Sequence, residues 1–102
     1  MKLYFAPMEG ITGYLYRNVF HDFFGAGIDK YFAPFIVPTQ GTSVKSRMVR
    51  DILPENNAGI PLVPQILSNH AENFIALSEY LSTLGYEEVN LNLGCPYGTV
   101  VA

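Results

Sequence analysis

The sequence predicts an α/β fold in which parallel strands alternate with helices. Short apolar segments rich in β-branched and aromatic residues recur along the chain, and they are typical of buried strands. Longer segments with apolar residues at helical spacing separate them. The resulting order, βαβαβαβ, is typical of parallel strands joined by right-handed crossovers.

Composition limits the class of protein. The chain has 102 residues, 49% hydrophobic and 15% charged, which indicates one globular domain at most. Its net charge of −3 argues weakly against a generally basic nucleic-acid-binding surface. Cys95, the single cysteine, fits a reducing compartment, and we find neither a signal peptide nor a membrane span, so we expect a cytoplasmic protein with no membrane partner. His21 and His70 lack metal-ligand spacing, so we predict no metal site.

The first half of the chain predicts strand, helix, strand. Lys2–Pro7 is a short apolar segment closed by proline, as expected of a strand. Thr12 is a candidate N-cap for the following helix, which ends at Gly25. That helix carries two adjacent apolar rows: Leu15, Val19 and Phe23, and Tyr16, Phe20 and Phe24. Asp29–Ile36 is the second predicted strand.

The next segment predicts helix, strand, helix. "VKSRMVRDIL", residues 44–53, is a candidate helix, and Ile60–Leu67 is the third predicted strand. Asn69 and Glu72 resemble a capping box before a longer helix that ends at Gly85. We expect this helix to bury four apolar residues: Phe74, Leu77, Leu81 and Leu84.

The fourth predicted strand, "EEVNLNLG" at residues 87–94, has two chemically different faces. Its alternating apolar residues are Val89, Leu91 and Leu93. Because this face suits a layer of helices, Asn90 and Asn92 are expected to point into a barrel. An unpaired buried amide costs about 1–3 kcal/mol, so each needs a partner. Either neighbouring strands or a polar ligand at the barrel mouth could supply it.

The predicted elements amount to half of a barrel. A closed eight-stranded barrel takes about 250 residues, whereas this chain offers about four strands and three crossovers. We therefore expect residues 1–102 to be a parallel (βα) half-barrel, a fragment of a larger protein. A small open α/β domain is the alternative.

Cys95 follows the fourth strand at its carboxyl end, where chemistry gathers in such barrels. Gly94 permits the chain to turn sharply after the strand, and Pro96 restrains the backbone of the cysteine. A lone cysteine is more often a small buried apolar residue than a catalyst, and both interpretations stay open at this point.

Three motifs together resemble the tRNA-dihydrouridine synthase family: "APMEGITGYLYR", "PLVPQIL" and "VNLNLGCPYGTVV". The resemblance covers nearly the whole chain and corresponds to the N-terminal half of that family's FMN-binding TIM barrel. It implies that the remaining barrel strands and a helical RNA-binding domain would lie beyond Ala102. We expect the 102-residue chain by itself to be inactive.

The resemblance also implies site residues. Five positions correspond to flavin contacts in the family: Pro7, Met8, Glu9, Gln65 and Asn92. Asn92 would also lie beside the target base, and Cys95 would be the general acid. Tyr97 departs from the family pattern, since a smaller residue is expected there; this affects the loop and not the thiol.

The implied reaction reduces uridines in tRNA to 5,6-dihydrouridine, with FMN as cofactor and NADPH or NADH as reductant. An ordinary cysteine thiol, with a pKa of about 8.5, is mostly protonated at pH 7 and can act as an acid. No Lys, Arg or His follows Glu87 to favour a thiolate, so the sequence favours an acid over a nucleophile.

Two other functions stay open. One is another FMN-dependent pyrimidine oxidoreductase of the dihydroorotate dehydrogenase type, whose strand also ends near an N-x-S-C-P sequence. Gly94 and the "APMEG" motif favour the synthase over it. The other is a non-catalytic half-barrel that self-associates.

Contacts with RNA have weaker support. Lys45, Arg47 and Arg50 lie within six positions and are candidates for phosphate contacts, although an ordinary solvated helix face explains them equally well. Tyr14 and Tyr16 are candidates for stacking on a base.

Overall fold

A computed structural model describes residues 1–38 and 46–93. The strands are β1 (Tyr4–Phe5), β2 (Lys30–Phe32), β3 (Leu62–Val63), β4 (Gln65–Leu67) and β5 (Asn90–Asn92). The α-helices are α1 (Tyr14–Phe24), α2 (Ser46–Ile52) and α3 (Ala71–Thr83), with 3₁₀ turns at Gly25–Gly27 and Pro54–Asn57. In the part described, no helix combines the length and apolar character needed to cross a membrane.

All strand pairs are parallel, as predicted. β1 pairs with β2 and β2 with β3, while β4 pairs with β5. A bridge between Ile36 and Ile66 joins the two groups, with the Ile36 amide donating to the Gln65 carbonyl over 2.8 Å. The strands therefore lie side by side in chain order, which confirms a mixed α/β fold with parallel strands.

Pro64 divides the third predicted strand. The expected single strand Ile60–Leu67 forms as β3 and β4 because proline has no amide hydrogen to donate to a neighbour. Its carbonyl still accepts a hydrogen bond of 2.9 Å from the Asn90 amide, so β5 remains attached at this point.

The core lies between one face of the sheet and the helices. The registers Phe5↔Tyr31 and Tyr31↔Leu62 place these three residues in one row. Phe20 of α1 packs on that row, with its ring centroid 4.9 Å from that of Phe5. From α3, Leu77 and Leu81 are fully buried, and Phe74 and Leu84 pack partly buried at the rim, so the predicted buried face of this helix is confirmed.

Helix α1 differs from the expectation. Leu15, Val19 and Phe23 form its most exposed row, at 69%, 59% and 76% exposed, and only Phe20 of the second row packs into the core. The fully buried residue of this helix is Arg17. The helix is thus rotated so that Arg17 and Phe20 face the neighbouring elements, while the row of Leu15, Val19 and Phe23 faces away from them.

The predicted N-caps are wrong. Helix α1 starts after Gly13, which offers no side chain, and the Tyr14 amide donates instead to Asp51 Oδ1 over 2.6 Å. The N-cap of α3 is His70, not Asn69, and makes no side-chain capping bond. The predicted end of α3 is right: Gly85 adopts φ +101°, the left-handed conformation that glycine favours.

Candidate functional site

A row of three amides crosses the β4–β5 pair. Gln65 Nε2 donates to Asn90 Oδ1 over 2.9 Å, and Asn92 Nδ2 donates to Gln65 Oε1 over 3.1 Å. The register Gln65↔Asn90 puts these side chains on one face of the sheet. Neighbouring strands therefore supply partners for the predicted polar face. An amide side chain carries two N–H groups and two lone pairs, so a row of amides has the donors and acceptors that suit a polar ligand.

The opposite face of β5 is less covered than expected. Val89 packs against the core, whereas Leu91 and Leu93 are 44% and 76% exposed. The prediction that these leucines pack under helices is wrong for the part of the chain described. Leu77 of α3 belongs to the cluster around Ile66, which leaves Leu91 at the edge of the sheet.

The loop after β1 holds the backbone of Met8. Its amide donates to Thr12 Oγ1 over 2.8 Å, and its carbonyl accepts hydrogen bonds from the Ile11 and Thr12 amides, each of 3.0 Å. Thr12, the expected helix cap, closes this loop instead. The Met8 side chain remains 57% exposed, so a fixed backbone presents an accessible side chain.

Arg17 is buried with all five of its N–H groups paired. Its Nη1 donates to the Thr12 carbonyl over 2.9 Å and to Asp51 Oδ2 over 3.2 Å. Its Nη2 donates to the Asp51 carbonyl over 2.6 Å and to Asn57 Oδ1 over 2.9 Å, and Nε donates to Asn57 Oδ1 over 3.3 Å. Full pairing is what makes a buried guanidinium tolerable.

Asn57 completes a cluster with Arg17 and Asp51, called here the Arg17 cluster, in which Arg17 and Asn57 are buried and the Asp51 side chain is 19% exposed. Asn57 Nδ2 donates to the carbonyls of Asp51 and Leu53, over 3.0 and 2.9 Å. The cluster therefore connects the β1–α1 loop, α1 and the segment after α2. Sequence reasoning missed it. An arginine inside the apolar segment "YLYRNVF" was the available signal, because charged residues are seldom fully buried unless paired.

An open cavity of about 340 Å³ lies beside this cluster. Its walls come from the loop after β1, the first turn of α1, the segment after β2, and α2. Glu9, Tyr16 and Phe35 contribute to it, together with Arg47 and Arg50. Within the described residues, neither arginine makes an ion pair. No group of three potential metal ligands occurs in the same part of the chain.

Comparison with known proteins decides the family. The family model described as dihydrouridine synthase matches residues 4–102. The chain belongs to the dihydrouridine synthase family. It is 32% identical over 101 residues to the tRNA-dihydrouridine(16) synthase of Cupriavidus necator, covering 93% of this chain and 30% of that protein. Probable tRNA-dihydrouridine synthases of Staphylococcus epidermidis and Staphylococcus aureus are each 29% identical over 96 residues, again covering 93% of this chain and 29% of theirs.

This member of the dihydrouridine synthase family thus spans about 30% of the length of the curated relatives that it matches. No solved structure matches the chain.

The structure brings together some of the predicted site residues. Gln65 and Asn92 are hydrogen-bonded to each other. The segment Pro7–Glu9 lies after β1, which β2 separates from the strand of Gln65, and of the three only Glu9 contributes to the cavity. Cys95 lies outside the described residues, as do Lys45 and Tyr97.

Proposed function

We propose that residues 1–102 form the N-terminal half of the TIM-barrel catalytic domain of a tRNA-dihydrouridine synthase. The family match over residues 4–102 carries this proposal. The substrate is then a uridine in tRNA, which implies the cytoplasm as the place of action, and the reductant is NADPH or NADH. The same match favours this function over a dihydroorotate dehydrogenase type of enzyme.

The side-chain amides of Gln65, Asn90 and Asn92, called here the amide row, offer the hydrogen-bond donors and acceptors that suit a flavin. The edge of an isoalloxazine ring has carbonyl acceptors and an N–H donor, and a row of amides offers both complements. Gln65 and Asn92 would hold that edge, and Pro7, Met8 and Glu9 would lie against the ring. When bound and reduced, FMN supplies a hydride for C6 of the uridine.

Cys95 would complete the reduction by giving its thiol proton to C5 of the uridine. The C5–C6 double bond then gains one hydride and one proton, and the thiolate left behind takes a proton from solvent. Because the chain has no cationic side chain after Glu87, nothing near in sequence favours a standing thiolate, and the protonated form is available at pH 7.

A chimeric enzyme tests this function. In it, this chain replaces the matching segment of the Cupriavidus necator enzyme, and dihydrouridine in tRNA is measured by mass spectrometry in cells lacking other dihydrouridine synthases. We expect the chimera to bind FMN and to form dihydrouridine. Cys95→Ala in the chimera should keep FMN and its reduction by NADPH while abolishing dihydrouridine. Full product formation by the alanine variant would exclude Cys95 as the acid.

A further inference from the structure

The cavity between α1 and α2 combines two cations with aromatic walls. Arg47 and Arg50 are three positions apart on α2, so their side chains share one face of the helix, and both contribute to the cavity. Both residues are exposed and make no ion pair within the described part of the chain. Unpaired arginines favour phosphate because the guanidinium can donate two parallel hydrogen bonds to it.

The aromatic wall comes from a different element. Tyr16 of α1 contributes to the same cavity and is 47% exposed. Phe5 and Phe20 support its ring, with centroids at 6.2 and 6.5 Å, and the Phe20 ring is nearly parallel to it at 11°. A supported, accessible ring is a stacking platform for a nucleobase, since each base has an apolar face.

The Arg17 cluster fixes the walls of this cavity before any ligand binds. Asp51 of α2 bonds to the Tyr14 amide at the start of α1 and to Arg17, so it fixes the two walls relative to each other. Asp51 also lines the cavity, but its charge is paired with the buried guanidinium. Glu9 is the other carboxylate in the lining and is exposed.

The cavity adjoins the amide row through the backbone. Ile36 lines the cavity, and its amide donates to the carbonyl of Gln65. Asn92 is the last residue of β5, so the amide row reaches the end of that strand where loops gather in parallel α/β folds, and the loops after β1 and β2 line the cavity. A single strand of RNA with one base at the amide row would therefore have its neighbouring nucleotides within reach of the cavity.

We infer that this cavity binds a nucleotide of single-stranded RNA next to the target uridine, with phosphates on Arg47 and Arg50 and a base on Tyr16. The inference rests on the proposed function for its choice of RNA. It goes beyond that function by assigning a second nucleotide site, separate from the amide row.

Direct binding to the 102-residue chain tests the site. Fluorescence anisotropy with a labelled 12-nucleotide oligouridylate is recorded between 50 and 200 mM salt. The double variant Arg47→Gln/Arg50→Gln should bind more weakly, and its slope of log affinity against log salt should be shallower by about 1.4, since each lost phosphate contact removes about 0.7. Lys2→Gln, an exposed lysine before β1, is the matched control and should keep the wild-type slope.

Variants at position 16 test the stacking. Tyr16→Leu should weaken binding at least fivefold at every salt concentration without changing the slope, whereas Tyr16→Phe keeps a ring and should bind like the wild type. Circular dichroism verifies that both variants stay folded. Glu9→Gln should strengthen binding, because it removes a carboxylate from the lining.

Three outcomes would overturn the inference. The first is that the double arginine variant binds RNA with the same affinity and the same salt slope as Lys2→Gln. The second is that Tyr16→Leu binds RNA as tightly as the wild type. The third is that NADPH or inorganic phosphate, at a concentration equal to that of the RNA, displaces it. The assay needs neither FMN nor Cys95. If the chain binds RNA as expected but the chimera is inactive, only the proposed function is rejected. If the chimera is active but RNA binding does not depend on Arg47 and Arg50, only this site is rejected.

Discussion

Arg17 shows how a single buried charge can organise a fold. Its five N–H groups bond to acceptors from Thr12, Asp51 and Asn57, which belong to three different segments. A buried pair of this kind is not by itself strongly stabilising, because taking both ions out of water offsets the attraction. Removing one member is different, since the other charge and several carbonyls then lose their partners.

Replacing Arg17 by methionine should lower the free energy of unfolding by about 3–5 kcal/mol, the range for breaking a buried ion pair. Urea unfolding followed by circular dichroism measures it. Arg50→Met is the matched control, an exposed arginine whose replacement should change stability by no more than about 0.5 kcal/mol. A loss below about 1 kcal/mol for Arg17→Met would contradict the assigned role.

Comparison with Asn90 tests whether Gln65 and Asn92 bind flavin or only stabilise the sheet. In the chimera, Gln65→Ala and Asn92→Ala should each lower the FMN content of the purified protein, measured by flavin absorbance. Asn90→Ala also disturbs the row, because Asn90 accepts from Gln65, but it should affect stability more than FMN content. Normal FMN in both test variants would favour the polar-core interpretation.

Tyr86 follows α3, and its hydroxyl donates to the Ile52 carbonyl at the end of α2. The residue therefore connects these two helices. Burial raises the pKa of this hydroxyl above its ordinary value. The unfolded chain therefore loses the proton first as pH rises. The stabilisation from Tyr86 is complete below about pH 10 and is lost as pH rises through the folded pKa.

Tyr86→Phe should accordingly destabilise the protein by about 1 kcal/mol at pH 7, where the hydrogen bond is intact. The difference in unfolding free energy between the two proteins should shrink from pH 10 upward, because phenylalanine does not titrate. Urea unfolding at pH 7, 9 and 10.5 measures this difference, and the other tyrosines cancel in it. A constant difference over the whole range would contradict the prediction.

The strands and helices were predictable because their patterns are local. Apolar segments and helical spacing identify four strands and α1 to α3, although the third strand forms as β3 and β4, and Gly85 ends α3 as expected. The caps and the rotation of α1 were not predictable, because they depend on Asp51, which lies 37 positions from the amide it caps. The partner of Asn92 stayed open between a neighbouring strand and a ligand, because its bond to Gln65 depends on the pairing of strands 27 positions apart.

At the scale of the whole molecule, a row of exposed apolar residues runs along α1 and the loop before it. Ile11, Leu15, Val19 and Phe23 recur at every fourth position and are each more than half exposed. Contiguous exposed apolar surface beyond a few hundred Å² usually marks an interaction site. Within the described residues, β1 and β5 also have one paired neighbour each, which leaves edges able to bind another strand.

We therefore predict that the 102-residue chain self-associates. Light scattering at increasing concentration should show a mass above that of one chain. Leu15→Glu with Phe23→Glu should shift the equilibrium toward single chains, and Ile75→Glu, an exposed isoleucine on α3, is the control that should not. A stable single chain at every concentration would contradict the prediction.

The bond between Asp51 and the Tyr14 amide also has a consequence for the order of assembly. A polypeptide made from its N-terminus exposes α1 well before the residue that caps it. Until Asp51 arrives, the first turn of α1 lacks this acceptor, and Arg17 lacks its carboxylate. Helix α1 and the segment around α2 thus fold together as one cooperative unit. Hydrogen exchange at the Tyr14 amide therefore reports on the docking of α2 and not on fraying of α1.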